Sequence, residues 1–162
     1  MNKRQKKKHY NRVLSDLWAR IGFIIQLSQM IEYNLLNILA GHKYLYEIDG
    51  LSIFDYEGYY NATKNSNDIL KNNKISTLRK LLIKVEKENI FTDEFIKLLD
   101  EAIIKRNYYV HQFFKEQLGK NILETNPSYY FKELSETITL LNYVNKELLK
   151  IDYEYRRVAK DY

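Results

Sequence analysis

The chain has 162 residues, 45% of them hydrophobic, with five glycines and one proline. That length suits one domain with a single core, and so few breakers favour long helices over many short strands, so an all-α fold is expected. Cysteine is absent, which excludes disulfides, thiolate metal sites and a cysteine nucleophile. His9, His42 and His111 lie far apart without an HExxH arrangement, so a metal-free, cofactor-free chemistry is expected.

The net charge of +5 is concentrated at the start, in Lys3, Arg4, Lys6, Lys7 and Lys8, and residues 9–162 balance to zero. Residues 1–10 read as a basic flexible arm, either a solvated terminus or a sequence-independent attraction for a polyanion such as RNA. The apolar stretch Ile21–Ile31 that follows is interrupted by Gln26, Ser28 and Gln29 and has no small-residue cleavage pattern behind it. A cytoplasmic protein that does not span a membrane is therefore expected.

From Asn11 to about Leu39, Leu14, Leu17, Trp18, Ile21, Ile24, Ile25, Ile31, Leu35, Ile38 and Leu39 follow a period close to 3.6 residues, which predicts a long amphipathic helix. Gly41 is placed to end it, and the stretch through about Asn73, without a sustained period, reads as a long connection. A second helix is predicted from a cap near Ser76, with Leu78, Leu81, Leu82 and Val85 on one side, and Lys87–Phe91 forms the turn after it. Thr92 is the predicted cap of a third helix, with Asp93 and Glu94 in its first turn and Phe95, Leu98, Leu99, Ala102 and Ile103 on its buried face. Gly119 closes that element, and Pro127 opens a last helix carrying Phe131, Leu134, Ile138, Leu141, Val144, Leu148 and Leu149. Residues 11–162 are thus expected to form one helical domain, an antiparallel four-helix bundle with a long connection after its first helix.

The third helix runs into Arg106-Asn107-Tyr108-Tyr109-Val110-His111. On a continuous α-helix Asn107 and His111, four apart, share a face, whereas Arg106 lies about 140° around the axis from His111. Only its long side chain could then reach the same site. A histidine titrates near neutrality and can move a proton at a 2′-hydroxyl or a leaving 5′-oxygen, while an arginine holds a phosphate and offsets its transition-state charge. Asn107 could orient the imidazole or donate to the phosphate. The competing reading is that both charged groups merely cap carbonyls or cover the edge of a bundle.

RNYYVH, following DEFIKLLDEAIIK on a third helix, resembles the Arg-Asn-x-x-x-His signature of the HEPN superfamily. The resemblance implies a helical-bundle, metal-independent endoribonuclease of a toxin–antitoxin or abortive-infection type of defence system. It implies Arg106 and His111 as the catalytic pair, with Asn107 as the polar residue that follows the arginine. It further implies a homodimer with both pairs facing one cleft, attack by the RNA's own 2′-hydroxyl and a 2′,3′-cyclic phosphate product. In the HepT-like branch the motif continues to a tyrosine that a partner nucleotidyltransferase adenylylates. Here that position is Phe113, which has no hydroxyl, whereas Tyr108 and Tyr109 nearby do. The expected partners are RNA, a second copy of the chain, and an antitoxin or nucleotidyltransferase. The alternative is a catalytically inactive bundle of the same kind that binds RNA, a nucleotide or a protein.

Glu32 interrupts the apolar stripe of the first helix, and Arg106 is the partner expected for its carboxylate; the other reading is a carboxylate at an edge that reaches solvent. Tyr44, Tyr46, Tyr56, Tyr59 and Tyr60, with Lys64, could stack on unpaired bases, or reflect only the Tyr-rich composition.

Overall fold

The computed structural model describes residues 2–73, 77–117 and 127–159, and these are helical with no strand among them. The elements are α1 (Lys3–Ile48), α2 (Tyr56–Asn72), α3 (Leu78–Lys87), α4 (Asp93–Asn107), a π-helical turn (Tyr108–Gln112), α5 (Phe113–Gln117) and α6 (Pro127–Val158). Among the described residues no helix is long and apolar enough to cross a membrane.

The spine is α1, whose 46 residues extend about 69 Å at 1.5 Å per residue. It is longer than expected at both ends. The basic segment is helical: Asn2 and Gln5 form a reciprocal capping box, each side chain accepting from the other's amide at 2.9 Å, and Lys3 begins the helix. Its charged residues are exposed, and the first core residue is Val13, so roughly three basic turns project beyond the core. Nor does Gly41 stop the helix. It lies in the interior, where Tyr155 of α6 packs so closely that a Cβ would sit 3.3 Å from the tyrosine's own. The stop is Asp49-Gly50, with Gly50 at φ +77°, a conformation that glycine adopts without steric cost.

The expected long connection is therefore mostly helix: the last turns of α1, a short corner, and α2. Asp55 caps α2 by accepting from the Gly58 amide at 2.8 Å. Asn65 reaches Glu47 and Ser66 donates to the Ala40 carbonyl, so α2 folds back along the end of α1. Periodicity failed to reveal it because α2 buries only Ala62 fully, leaving little apolar stripe to read.

The remaining helices enclose one core with α1. Arg20 meets Ser135, Asn34 meets Asn145 and His42 meets Tyr155, so α1 and α6 run parallel. They are not antiparallel, as the expected four-helix arrangement requires, because α2 adds one more reversal of the chain between them. Buried residues of α1 (Leu17, Ile24, Ile31, Leu35, Ile38), α3 (Leu81, Val85), α4 (Leu99, Ile103) and α6 (Leu134, Leu141, Leu148) form a single cluster. Inside it the amides of Asn34 and Asn145 pair at 2.8 Å, which satisfies two groups that are costly to bury alone.

Caps place the two middle helices. Thr77 caps α3 by accepting from Lys80, one residue after the expected Ser76, which lies outside the described residues. At the other end Asn89 takes a left-handed conformation, and the Asn89 and Ile90 amides return to the Glu86 and Val85 carbonyls in a Schellman motif. Thr92 caps α4 as expected, accepting from Phe95, with Asp93 and Glu94 in the first turn. The short turn and an ion pair between Arg79 and Asp100 set α3 and α4 antiparallel. The expected closure at Gly119 lies outside the described residues; Pro127 does stand in the opening turn of α6.

Candidate active site

The third predicted helix does not run as a continuous α-helix through RNYYVH. At Tyr108 the amide is shared between the Ile104 and Lys105 carbonyls, and one turn further the Phe113 amide bonds to the Tyr108 carbonyl five residues back. A π turn needs one more residue than an α turn to come round, so residues five apart return to the same side. This removes the angular gap between Arg106 and His111. The Arg106 guanidinium donates from Nη1 to Asn107 Oδ1 at 2.9 Å and lies 3.3 Å from His111 Nε2. For the imidazole to accept there, its proton must sit on Nδ1.

The three candidate residues are thus brought together within one chain, but not in the expected way. No direct hydrogen bond joins Asn107 to His111 among the described residues; Arg106 bridges them. The long side chain needs neither to swing around the helix nor to borrow a second chain's groups. His111 is exposed, so its ring can meet a ligand, whereas Arg106 is half-buried. Its Nε is fully buried and has no hydrogen-bond partner among the described residues.

Glu32 approaches the same arginine from α1. Burial pushes its carboxyl above the usual range, and the Arg106 charge and a hydrogen bond from the Leu78 amide partly offset this. Leu78 is the first residue of α3, so Glu32 occupies the end of that helix where amides lack intrahelical partners. Arg106 is therefore its electrostatic neighbour, as the sequence suggested, while its hydrogen bond goes to the backbone. The two side chains are not in ion-pair contact.

Phe113 is completely buried, edge-on to Tyr108 and Tyr130 and tilted against Tyr109. Tyr109 is also buried, and Tyr108 donates its hydroxyl to Glu116 at 3.1 Å. The Tyr-rich corner expected to hold bases lies elsewhere. Tyr44 and Tyr46 are 12 and 14 residues beyond Glu32 on α1, about 20 Å along the axis.

Sequence reasoning missed the aromatic residues that do adjoin the motif. Tyr129 and Tyr130, at the start of α6, face Tyr108 and Tyr109 across an open cleft of about 500 Å3 that Asn107 also lines. The paired tyrosines at 108–109 and 129–130 were the only signal. Among the described residues, no three His, Asp or Glu side chains gather as metal ligands would. Compared with protein-family models, curated proteins and solved structures, the chain matches none of them.

Proposed function

We propose that the chain is a HEPN-type endoribonuclease that cuts RNA without a metal. The observation that carries the reading is the π turn, which sets Arg106 and His111 within 3.3 Å of each other on one exposed surface. A general base and a phosphate-binding cation at that spacing can grip one phosphodiester together. His111 accepts the proton of the 2′-hydroxyl or returns one to the 5′-oxygen. Arg106 stabilises the charge on the phosphorane, and Asn107 holds the guanidinium. In this reaction the 2′-oxygen–phosphorus bond forms as the phosphorus–5′-oxygen bond breaks, leaving a 2′,3′-cyclic phosphate and a 5′-hydroxyl.

Within this reading α1, α3, α4 and α6 are the four helices of the bundle, α2 is an addition to it, and the protein works in the cytoplasm as the toxin of a defence system. A homodimer places two Arg/His pairs on one cleft, although the pair's own geometry no longer requires a second chain. Adenylylation in the HepT manner is not proposed, because the buried Phe113 offers no acceptor. An antitoxin would act on the exposed His111 face instead. The basic turns of α1 add attraction for the RNA backbone.

One observation favours a second reading, the non-cutting bundle. The guanidinium is already engaged by Asn107 and His111, and its Nε is buried, as a structural arginine's would be. The test is to incubate the protein with single-stranded and structured RNAs in EDTA, beside Arg106→Ala and His111→Ala. Cleavage by the parent alone, with cyclic-phosphate ends, is expected. Cleavage that persists in both variants or depends on a divalent metal sinks the proposal, and binding without any cleavage favours the second reading.

A further inference from the structure

The cleft beside the motif is built from two pairs of tyrosines. Tyr108 and Tyr109 meet edge-to-face with ring centroids 5.2 Å apart, and Tyr129 and Tyr130 do so at 5.6 Å. Phe113 lies 5.5 Å behind Tyr130, so the inner wall is fixed, whereas Tyr129 is 57% exposed and leaves its ring open to a ligand. Polar groups face the same space: Lys105, Asn107 and Gln112 on the side of α4 and the π turn, and Glu133 and Thr137 on α6. The cleft measures about 500 Å3, within the range of small-ligand sites.

Its position carries the argument. Asn107 lines the cleft and at the same time accepts from Arg106, which in turn touches His111. A group bound among the tyrosines and a phosphate held by Arg106 and His111 are therefore separated by the Asn107 side chain, the place where the ribose of one nucleotide would join its base to its phosphate. Aromatic rings stack on unpaired bases whatever their identity, and polar groups at the edge select among them. A carboxylate accepts and cannot donate, so Glu133 suits a base edge with two adjacent donors. Guanine has that edge, in its ring N–H and its amino group. Tyr109 also lines the cleft, and burial foremost and then the charge of Glu133 push its phenol well above the ordinary range.

We propose that this tyrosine cleft holds the nucleobase next to the scissile phosphate, Tyr129 stacking on its face and Glu133 accepting from its donor edge, so that the site prefers guanine. The proposal rests on the endoribonuclease reading for the word scissile, and its test separates the two. A random-sequence RNA pool is cut by the full chain and the new ends are sequenced. Guanine is expected to be enriched about tenfold at one fixed position beside the cut, and Glu133→Gln abolishes that preference. Tyr129→Ala lowers kcat/KM by roughly tenfold or more, the worth of one base stack, while Tyr129→Phe retains it.

In parallel, GMP and UMP are titrated into the His111→Ala protein and followed by NMR, with tighter binding of GMP expected and its loss in Tyr129→Ala. If RNA is cut with no base preference and Tyr129→Ala behaves as the parent, the cleft proposal is overturned and the nuclease reading stands. If no RNA is cut but GMP binds in a Tyr129-dependent way, the nuclease reading fails and the cleft keeps its base.

Discussion

Arg106 and His111 stand five residues apart in the chain and 3.3 Å apart in space, because the helix between them is wound for one turn as π rather than α. A π turn inside an α-helix is uncommon and concentrates at functional sites. Here its effect is specific: it makes neighbours of two side chains that an α-helix would point about 140° apart.

In the RNA cleavage proposed above, Arg106→Lys should fail as completely as Arg106→Ala. One guanidinium nitrogen, Nη1, meets both Asn107 and His111, which leaves Nη2 of the same planar group for a phosphorane; an ammonium has a single nitrogen and cannot do both. A loss of about 10²–10³ in kcat is expected, the usual effect of removing one preorganised charge stabiliser. Single-turnover rates would check it, and a lysine variant within a factor of a few of the parent would disprove the need for a guanidinium.

Glu32→Gln should stabilise the fold at neutral pH and not at pH 4. The native carboxyl is raised above its ordinary value of 4.5, chiefly by burial, so the folded state disfavours the ionised form. Below the ordinary value both folded and unfolded chains carry the neutral acid and nothing is lost. As pH rises through the raised native value, the parent loses stability relative to the glutamine variant, whose amide oxygen can still accept from Leu78. Urea titrations at pH 4 and 7 read the difference directly. A parent that instead gains on the variant with rising pH would show that the attraction of Arg106 outweighs burial.

Asn34→Leu or Asn145→Leu alone should each cost about 1–3 kcal/mol, because each strands the partner's amide inside the core between α1 and α6. Replacing both residues with leucine should cost much less than the two single changes together, since no polar group is then left unpaired. Chemical denaturation of the four proteins closes the cycle; additive costs would contradict the pairing.

Two glycines within α1 should respond oppositely to alanine. Nothing lies within 4 Å of a Cβ built at Gly22, so Gly22→Ala should stabilise by about 0.5–1 kcal/mol through helix propensity. At Gly41 the new methyl would stand 3.3 Å from Tyr155, tighter than packing ordinarily tolerates, and Gly41→Ala should forfeit that gain. Thermal melts suffice, and equal stabilisation at both positions would mean that α6 yields freely to the methyl.

Much of the helical content was legible in the sequence. The stripes of α3, α4 and α6 and the cap at Thr92 could be read directly, because a helix that buries one face must repeat its apolar residues near 3.6. α2 was not, since it rests on α1 through a buried alanine and polar contacts with Glu47 and Ala40. Gly41 was misread because a glycine that ends a helix and one that admits a neighbouring ring look alike in one dimension.

At the site the division is sharper. By itself the sequence determined which chemical groups are present: one Arg, one Asn and one His within six residues, no cysteine, and an acidic residue on the first helix. Only the tertiary structure decided how they meet. Helical winding depends on which carbonyl each amide finds, and α and π turns differ there by a single residue; the π turn coincides with the packing of Tyr109 and Phe113 into the core beside Tyr130. The tyrosine cleft likewise exists because α6 returns along α4, bringing Tyr129 and Tyr130 to a motif about twenty residues earlier in the chain.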